Sequence, residues 1–282
     1  MSRSKNGSLA RLLVAATNLY FLFLFVWFLL YLLFGDGLGY LGLANALAVY
    51  FFLPLPFLAL IAVRQSNRKL VLLSVAAVGL FLYLWGYLLL PKGNNAVVVG
   101  EPLRVMTFNI LGRAGSLAPI QRSIDEEDAD VLFLQELTPE ASVYLARVLI
   151  DRFPYQILAP GPRASGMGIM SKYPLEQTDA VLAGDWVGHP QIVTMQWEDQ
   201  EITLVNFHVV PTSTIWPRRV YYTSQIREND MQSLADFAQD QAARGPLVVA
   251  GDANSARLNE AYKNVAAVLL DAAGLEVGAA TS

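Results

Sequence analysis

Hydrophobic positions run almost without interruption over the first third of the chain and then settle into alternation. Between positions 9 and 90 the only charged residues are Arg11, Asp36, Arg64, Arg68 and Lys69. Three stretches, about 12–34, 41–63 and 70–90, each supply the roughly 20 apolar residues that a bilayer-spanning helix needs. Pro54 and Pro56 fall inside the second stretch, which predicts a kink that neighbouring helices accommodate. None of the three carries the polar stripe expected of a helix in a soluble bundle. The first is too long in its apolar core for a cleaved signal peptide and reads as a retained anchor.

Pro91-Lys92-Gly93-Asn94-Asn95 is a turn-rich break, and residues 93–101 read as a short linker. Beyond it, strand and helix patterns alternate. Residues 103–110 alternate with period two over their first half, and 130–135 form a short apolar run suited to a buried strand. Further strand-like pieces lie at 167–171, 175–182, 191–198, 201–208 and 247–250. The 191–198 and 202–208 pieces resemble a hairpin turning at Asp199-Gln200-Glu201. Helices are predicted over 117–128, over 139–151 with Pro139 in the first turn, over 221–243, and over 260–271 with Gly274 as a stop. This order argues a layered α/β domain over 102–282 behind a membrane domain over 1–92.

Charge divides the chain at the same place. Residues 1–92 hold seven of the 20 Lys and Arg and one of the 24 Asp and Glu, leaving 13 basic and 23 acidic residues after them. Such an acidic remainder lacks the broad basic face of a strong polyanion binder. Arg3, Lys5 and Arg11 precede the first apolar stretch, and Arg64, Arg68 and Lys69 separate the second from the third. The positive-inside tendency puts both groups in the cytoplasm. Three crossings then deliver the soluble domain outside it, multi-pass in the inner membrane and periplasmic for a Gram-negative source. Cysteine is absent, which excludes disulfides, thiolate metal sites and a cysteine nucleophile.

Polar residues close several of the apolar strands. Asn109 ends the first, Glu136 follows the second, His208 ends the hairpin, and Asp252 and Asn254 follow the last. Strand ends are where layered sheets gather active-site groups on a rigid frame. Each residue also has a plainer reading. Asn109 suits a turn, Glu136 could favour the helix start at Leu137-Thr138-Pro139, and Asp252-Ala253-Asn254 could be turn and capping chemistry. His189, in Gly188-His189-Pro190, reads as a loop residue, and the acidic run at 125–128 as a solvated helix end.

Taken in order, Thr107-Phe108-Asn109, Leu134-Gln135-Glu136, Gly168-Ile169-Met170-Ser171-Lys172-Tyr173-Pro174-Leu175, Asn206-Phe207-His208 and Ala250-Gly251-Asp252-Ala253-Asn254 resemble the successive signatures of the endonuclease/exonuclease/phosphatase superfamily. The pieces are short singly, and their order and spacing carry the resemblance over about 102–275. It implies a four-layer α/β sandwich of two mixed sheets flanked by helices, and hydrolysis of phosphate esters with Mg²⁺ or Mn²⁺. By similarity Glu136 is the metal-binding carboxylate and Asn109 supports the metal or an oxygen nearby. Asp252 orients or deprotonates the attacking water, Asn254 holds Asp252 or the phosphate, and His208 donates to the phosphate or the leaving oxygen.

The superfamily pattern continues with a further Asp and a Ser-Asp-His-like triplet, whereas this sequence stops at Thr281-Ser282. The sandwich is therefore expected to be incomplete at its C-terminal side. Two explanations are open, a piece of a longer protein or a natural short version. The first is favoured, because missing strands would leave a bare sheet edge, and low turnover is expected. The leading expectation is a membrane-anchored phosphoesterase whose partners are the lipid bilayer and a phosphate ester: a phospholipid head group, a nucleic acid or a small phosphorylated molecule. The alternative is a non-catalytic membrane-anchored binding or assembly protein on a degenerate phosphoesterase fold. A transporter is disfavoured, since the spans hold almost no ionisable residues at mid-depth.

Overall fold

Apolar content alone decides the first 89 residues, and alternation decides most of the rest. The computed structural model describes residues 3–89, 102–112, 116–212 and 217–272. The expected linker at 93–101 and the stop at Gly274 lie outside the described residues. The chain divides into two compact units, Met1–Asn94 with Ala272–Ser282, and Asn95–Asp271.

In the first unit, α1 (Arg3–Phe34) and α4 (Arg68–Trp85) are long, and α4 runs on into a 3₁₀ turn (Gly86–Leu89). Two stretches, Arg11–Phe34 and Arg68–Leu89, are long and apolar enough to cross a membrane, and only 22% of each is buried. The expected second span is not one helix. It breaks into α2 (Leu41–Ala46), a 3₁₀ turn (Ala48–Phe52) and α3 (Leu55–Arg64). The prolines are the physical reason. Pro54 caps α3 and Pro56 sits in its first turn, where a missing N–H costs nothing, so the helix must begin there rather than pass through. Asn45 also holds the chain in a turn, donating to Gly35 O at 2.9 Å and Asp36 Oδ1 at 2.8 Å while accepting from Trp27 Nε1 at 3.1 Å.

The second unit holds two four-stranded mixed sheets. In the first, β1 (Val105–Asn109) runs parallel to β2 (Val131–Gln135), and β4 (Met167–Ser171) and β3 (Tyr155–Ala159) follow antiparallel. In the second, β5 (Leu175–Gln177), β6 (Gly188–Trp197) and β7 (Gln200–His208) are antiparallel neighbours, and β8 (Leu247–Asp252) pairs with β7 in parallel. The two-residue spacing of side chains sorts every strand into two faces. Val131, Phe133, Ile169, Val193, Met195, Ile202 and Leu204 form one core between the sheets. Leu132, Leu134 and Met170 point the other way into a second core under α5 (Ala118–Glu126) and α6 (Pro139–Val148). Val205 and Phe207 do the same under α7 (Pro217–Ala242) and α8 (Glu260–Ala266). The layers run helix, sheet, sheet, helix.

Several expectations need correction. β3 carries no alternation strong enough to predict, and the strand expected over 175–182 stops at Gln177. Thr178 still reaches Ile192 O through both its N–H at 3.2 Å and its hydroxyl at 2.7 Å, and the ladder ends there. His189 is not in a loop but within β6, next to an irregular register between Gly188 and Gln191, and is exposed. The helix expected to reach 271 ends at Ala266.

Candidate active site

Parity places the polar strand tips. On β1, Val105, Thr107 and Asn109 share the inner face; on β7, Ile202, Leu204, Asn206 and His208; on β8, Val248, Ala250 and Asp252. Apart from Thr107 and Asn206, each series is apolar or small until its C-terminal end, and the parallel pairs β1–β2 and β7–β8 bring those ends to one edge. Glu136 breaks the rule, since alternation after Gln135 would send it to the helix side. Its backbone is left-handed (φ 58°), a conformation costly for a residue with a Cβ, and this turns the carboxylate back to the shared edge. The helix-start reading of Glu136 fails, because Thr138 caps α6 itself by accepting from Ala141 N at 3.2 Å.

The groups meet closely. Asn109 Nδ2 donates to Glu136 Oε1 at 3.0 Å and to Asp252 Oδ2 at 2.8 Å, so one amide joins two carboxylates from different sheets. Asn109 Oδ1 is engaged by Leu111 N at 2.8 Å, which fixes the amide orientation. The same two carboxylate oxygens lie 3.9 and 3.7 Å from His208 Nε2. His208 is 1% exposed; its Nδ1 must donate to Ala164 O at 3.2 Å, because a carbonyl only accepts. Its Nε2 is buried without a hydrogen-bond partner. Glu136 and Asp252 keep 19% and 27% exposure, so the cluster opens to solvent on the carboxylate side.

Asn254 takes a supporting position. Its N–H donates to Asp252 Oδ1 at 2.9 Å, and its Nδ2 is tied to Val209 O at 3.0 Å. The turn-chemistry reading thus describes one oxygen of Asp252, while the other faces the cluster. Leu111, Arg163 and Asn254 are left-handed like Glu136 (φ 61°, 56° and 44°). Gly112 shows how close the loops come: a Cβ there would stand 2.9 Å from Arg163 O and 3.5 Å from Glu136 Oε2.

Sequence reading passed over what lies beneath. Gln135 Nε2 donates to Asn206 Oδ1 at 2.7 Å and Thr107 Oγ1 at 3.1 Å. Asn206 Nδ2 reaches Leu134 O at 3.1 Å, Gly168 O at 3.0 Å and Gln191 Oε1 at 3.2 Å. Gln135 and Asn206 are 1% and 0% exposed. This lattice binds the two sheets together under the carboxylates, where an apolar contact could not fix direction.

Among the described residues no three of His, Asp or Glu form a cage able to hold a metal by themselves. What is present, two partly open carboxylates and an amide, fits a hard divalent cation that keeps water ligands rather than zinc.

The profile of the Endonuclease/Exonuclease/phosphatase family matches residues 106–275, more than half of the chain, and the chain belongs to that family. Its activity class is accordingly that of a metal-dependent phosphoesterase. No curated protein gives a significant match. Similar solved structures include a mutant of beta toxin from Staphylococcus aureus with bound magnesium ions, at 16% identity and TM-score 0.45, covering 63% of this chain and 71% of that one. Sphingomyelinase C from Streptomyces griseocarneus is 21% identical, with TM-score 0.43 and coverage of 59% and 70%. D. rerio TDP2 complexed with single strand DNA product is 17% identical, with TM-score 0.47 and coverage of 59% and 66%.

Proposed function

We propose that the chain is a membrane-tethered hydrolase of phosphate esters that acts outside the cytoplasm by in-line attack of water. The observation that carries the reading is the cluster itself, in which two carboxylates from different sheets share one amide and face one unpartnered imidazole nitrogen. Like charges are held together in this way where a cation or a developing positive group completes the site.

Glu136, with Asn109 alongside, would hold Mg²⁺ or Mn²⁺, which would supply positive charge to offset the anionic phosphate oxygens. Asp252 takes the proton of the attacking water at Oδ2, while the Asn254 N–H keeps Oδ1 occupied and the carboxylate aimed. With both ring nitrogens protonated, His208 Nε2 supplies a hydrogen bond or a proton to the phosphate or leaving oxygen, while Nδ1 keeps its proton on Ala164 O throughout. The net-acidic domain and the tether favour a lipid head group or a small phosphorylated molecule over long nucleic acid.

The test is a Mn²⁺ titration of the purified protein, followed by cleavage of bis-p-nitrophenyl phosphate. Stoichiometric Mn²⁺ binding with slow cleavage is expected, and Asp252→Asn should abolish cleavage while Mn²⁺ still binds. A protein that captures no divalent ion would overturn the proposal.

For the membrane part, the basic residues in the first turns of α1 and those where α3 ends and α4 begins, placed on one side of the bilayer, require the broken middle segment to cross between them. Its unpaired backbone groups would then need protein partners at depth, a role that Asn45 fills at the turn after α1. Single cysteines placed in the cysteine-free chain at Gly37, Ser66 and Arg147 test this. Impermeant maleimide added outside intact cells should label the first and third and spare Ser66→Cys. Labelling of Ser66→Cys would invert the topology.

A further inference from the structure

His208 has an anchor on its backbone as well as on its ring. Val187 N donates to His208 O at 3.1 Å, and Gly188 pairs with His208 across β6 and β7. The turn before β6 therefore meets the strand that carries the imidazole. Trp186 in that turn packs edge-on against Phe207, with centroids 6.3 Å apart, and its Nε1 closes the turn on Ala183 O at 3.3 Å.

The turn is itself held from below by one side chain. Asp230 of α7 is 1% exposed, and its Oδ1 accepts the Asp185 N–H at 2.9 Å. Gly184 lies so close, with φ +151°, that a Cβ would collide with Asp230 Oδ1 and Trp186 Nε1. Asp230 Oδ2 is buried with no hydrogen-bond partner. Burial pushes this carboxyl above the usual range; the Asp185 N–H pulls it down, and the Asp185 charge adds to the rise. A buried acid this poorly satisfied contributes little to stability, and many apolar residues would pack better there. What it does supply is a directed grip on one backbone N–H.

We propose that Asp230 is a positioning residue: by pinning the 183–187 turn to α7 it fixes the His208 backbone and hence the aim of Nε2 at Glu136 and Asp252. The idea rests on the phosphoesterase reading for its purpose, though its geometry can be tested without any reaction. Three elements are linked in sequence, α7 to the turn by Asp230, the turn to β7 by Val187, and β7 to the cluster by His208.

The protein has two histidines, so its imidazole NMR signals are few, and exposed His189 serves as an internal control. In Asp230→Ala the Asp185 and Val187 amides should exchange about 10- to 100-fold faster, the range expected when a hydrogen bond to a charged group is lost. The His208 ring signals should move while those of His189 stay. Asp230→Asn keeps an acceptor for Asp185 N and should retain both the protection and the His208 signals. If cleavage is measurable, Asp230→Ala should lower kcat with KM unchanged, and Asp230→Asn should restore it. The proposal is overturned if Asp230→Ala only lowers stability and leaves Val187 exchange and the His208 signals as in the parent, or if Asp230→Asn behaves like Asp230→Ala. A parent that cleaves nothing would count against the phosphoesterase reading alone, because the NMR comparison still decides the positioning role.

Discussion

The two ends of β2 hold the same kind of side chain in opposite circumstances. Before the strand, Asp128 and Asp130 are neutralised: Lys172 Nζ lies 3.3 Å from Asp128 Oδ1 and 2.9 Å from Asp130 Oδ1, and Arg104 pairs with Asp128. After the strand, Glu136 and Asp252 meet with only an amide and an imidazole between them. One end has spent its charges on structure. The other keeps them uncompensated, with left-handed backbone around it, and such cost is retained where chemistry needs it.

If the contrast holds, substitutions should separate function from stability at one end only. The largest effect is expected from Glu136→Gln, which should weaken Mn²⁺ binding by at least about 100-fold in calorimetry. The denaturation midpoint should stay or rise, because a repulsion is removed; an unchanged Mn²⁺ affinity would erase the distinction between the ends. Next comes Asn206→Leu beneath the site. It takes Asn206 from the Gln135 and Gln191 amides and should lower unfolding free energy by roughly 2–4 kcal/mol in urea. A smaller change, of the opposite sign, is expected for Glu136→Gly. Glycine relieves the left-handed backbone, so stability should increase by about 1 kcal/mol while Mn²⁺ binding is lost.

The smallest effect belongs to the satisfied end. The hydrogen bond and charge of Lys172, with Arg104 adding, hold Asp128 below the usual carboxylate range. The hydrogen bond to Asp130, against some burial and helped by Asp128, holds Lys172 above its ordinary value. The carboxylate contribution is full above the ordinary Asp value and disappears as pH falls through the lowered one. The lysine contribution is full below its ordinary value and disappears as pH rises through the raised one. Lys172→Met should therefore lower Tm slightly, on the order of 2 °C, across neutral pH and flatten its fall in acid. A neutral-pH loss as large as that of Asn206→Leu would contradict the ranking.

How far the sequence could be read follows from the same parity. β1, β2 and β8 are short apolar runs with polar ends, and parallel pairing brings Asn109, His208 and Asp252 to one edge. Period-two reasoning could not foresee Glu136, whose place depends on a backbone torsion rather than on spacing. Nor could it assign a task to Gln135 or Asn206, because their bonds join strands some 70 positions apart. β3 escaped because exposed Tyr155 and Ala159 bound a run with little alternation. In the apolar third, hydropathy located the two long helices but could not say that Pro54 and Pro56 would start a new helix within the middle segment.

Apart from Thr107 and Asn206, the inner faces carry apolar or small residues up to a polar last position, and this has a consequence for how such a chain can drift over generations. A point change at a tip alters one group and leaves the core intact, so specificity is free to wander by single substitutions. Deleting one residue inside β2 or β7 would rotate every later side chain to the opposite face, emptying the core and withdrawing the tip in the same event. Lineages of this protein should therefore differ in length in their loops and hardly ever within those strands.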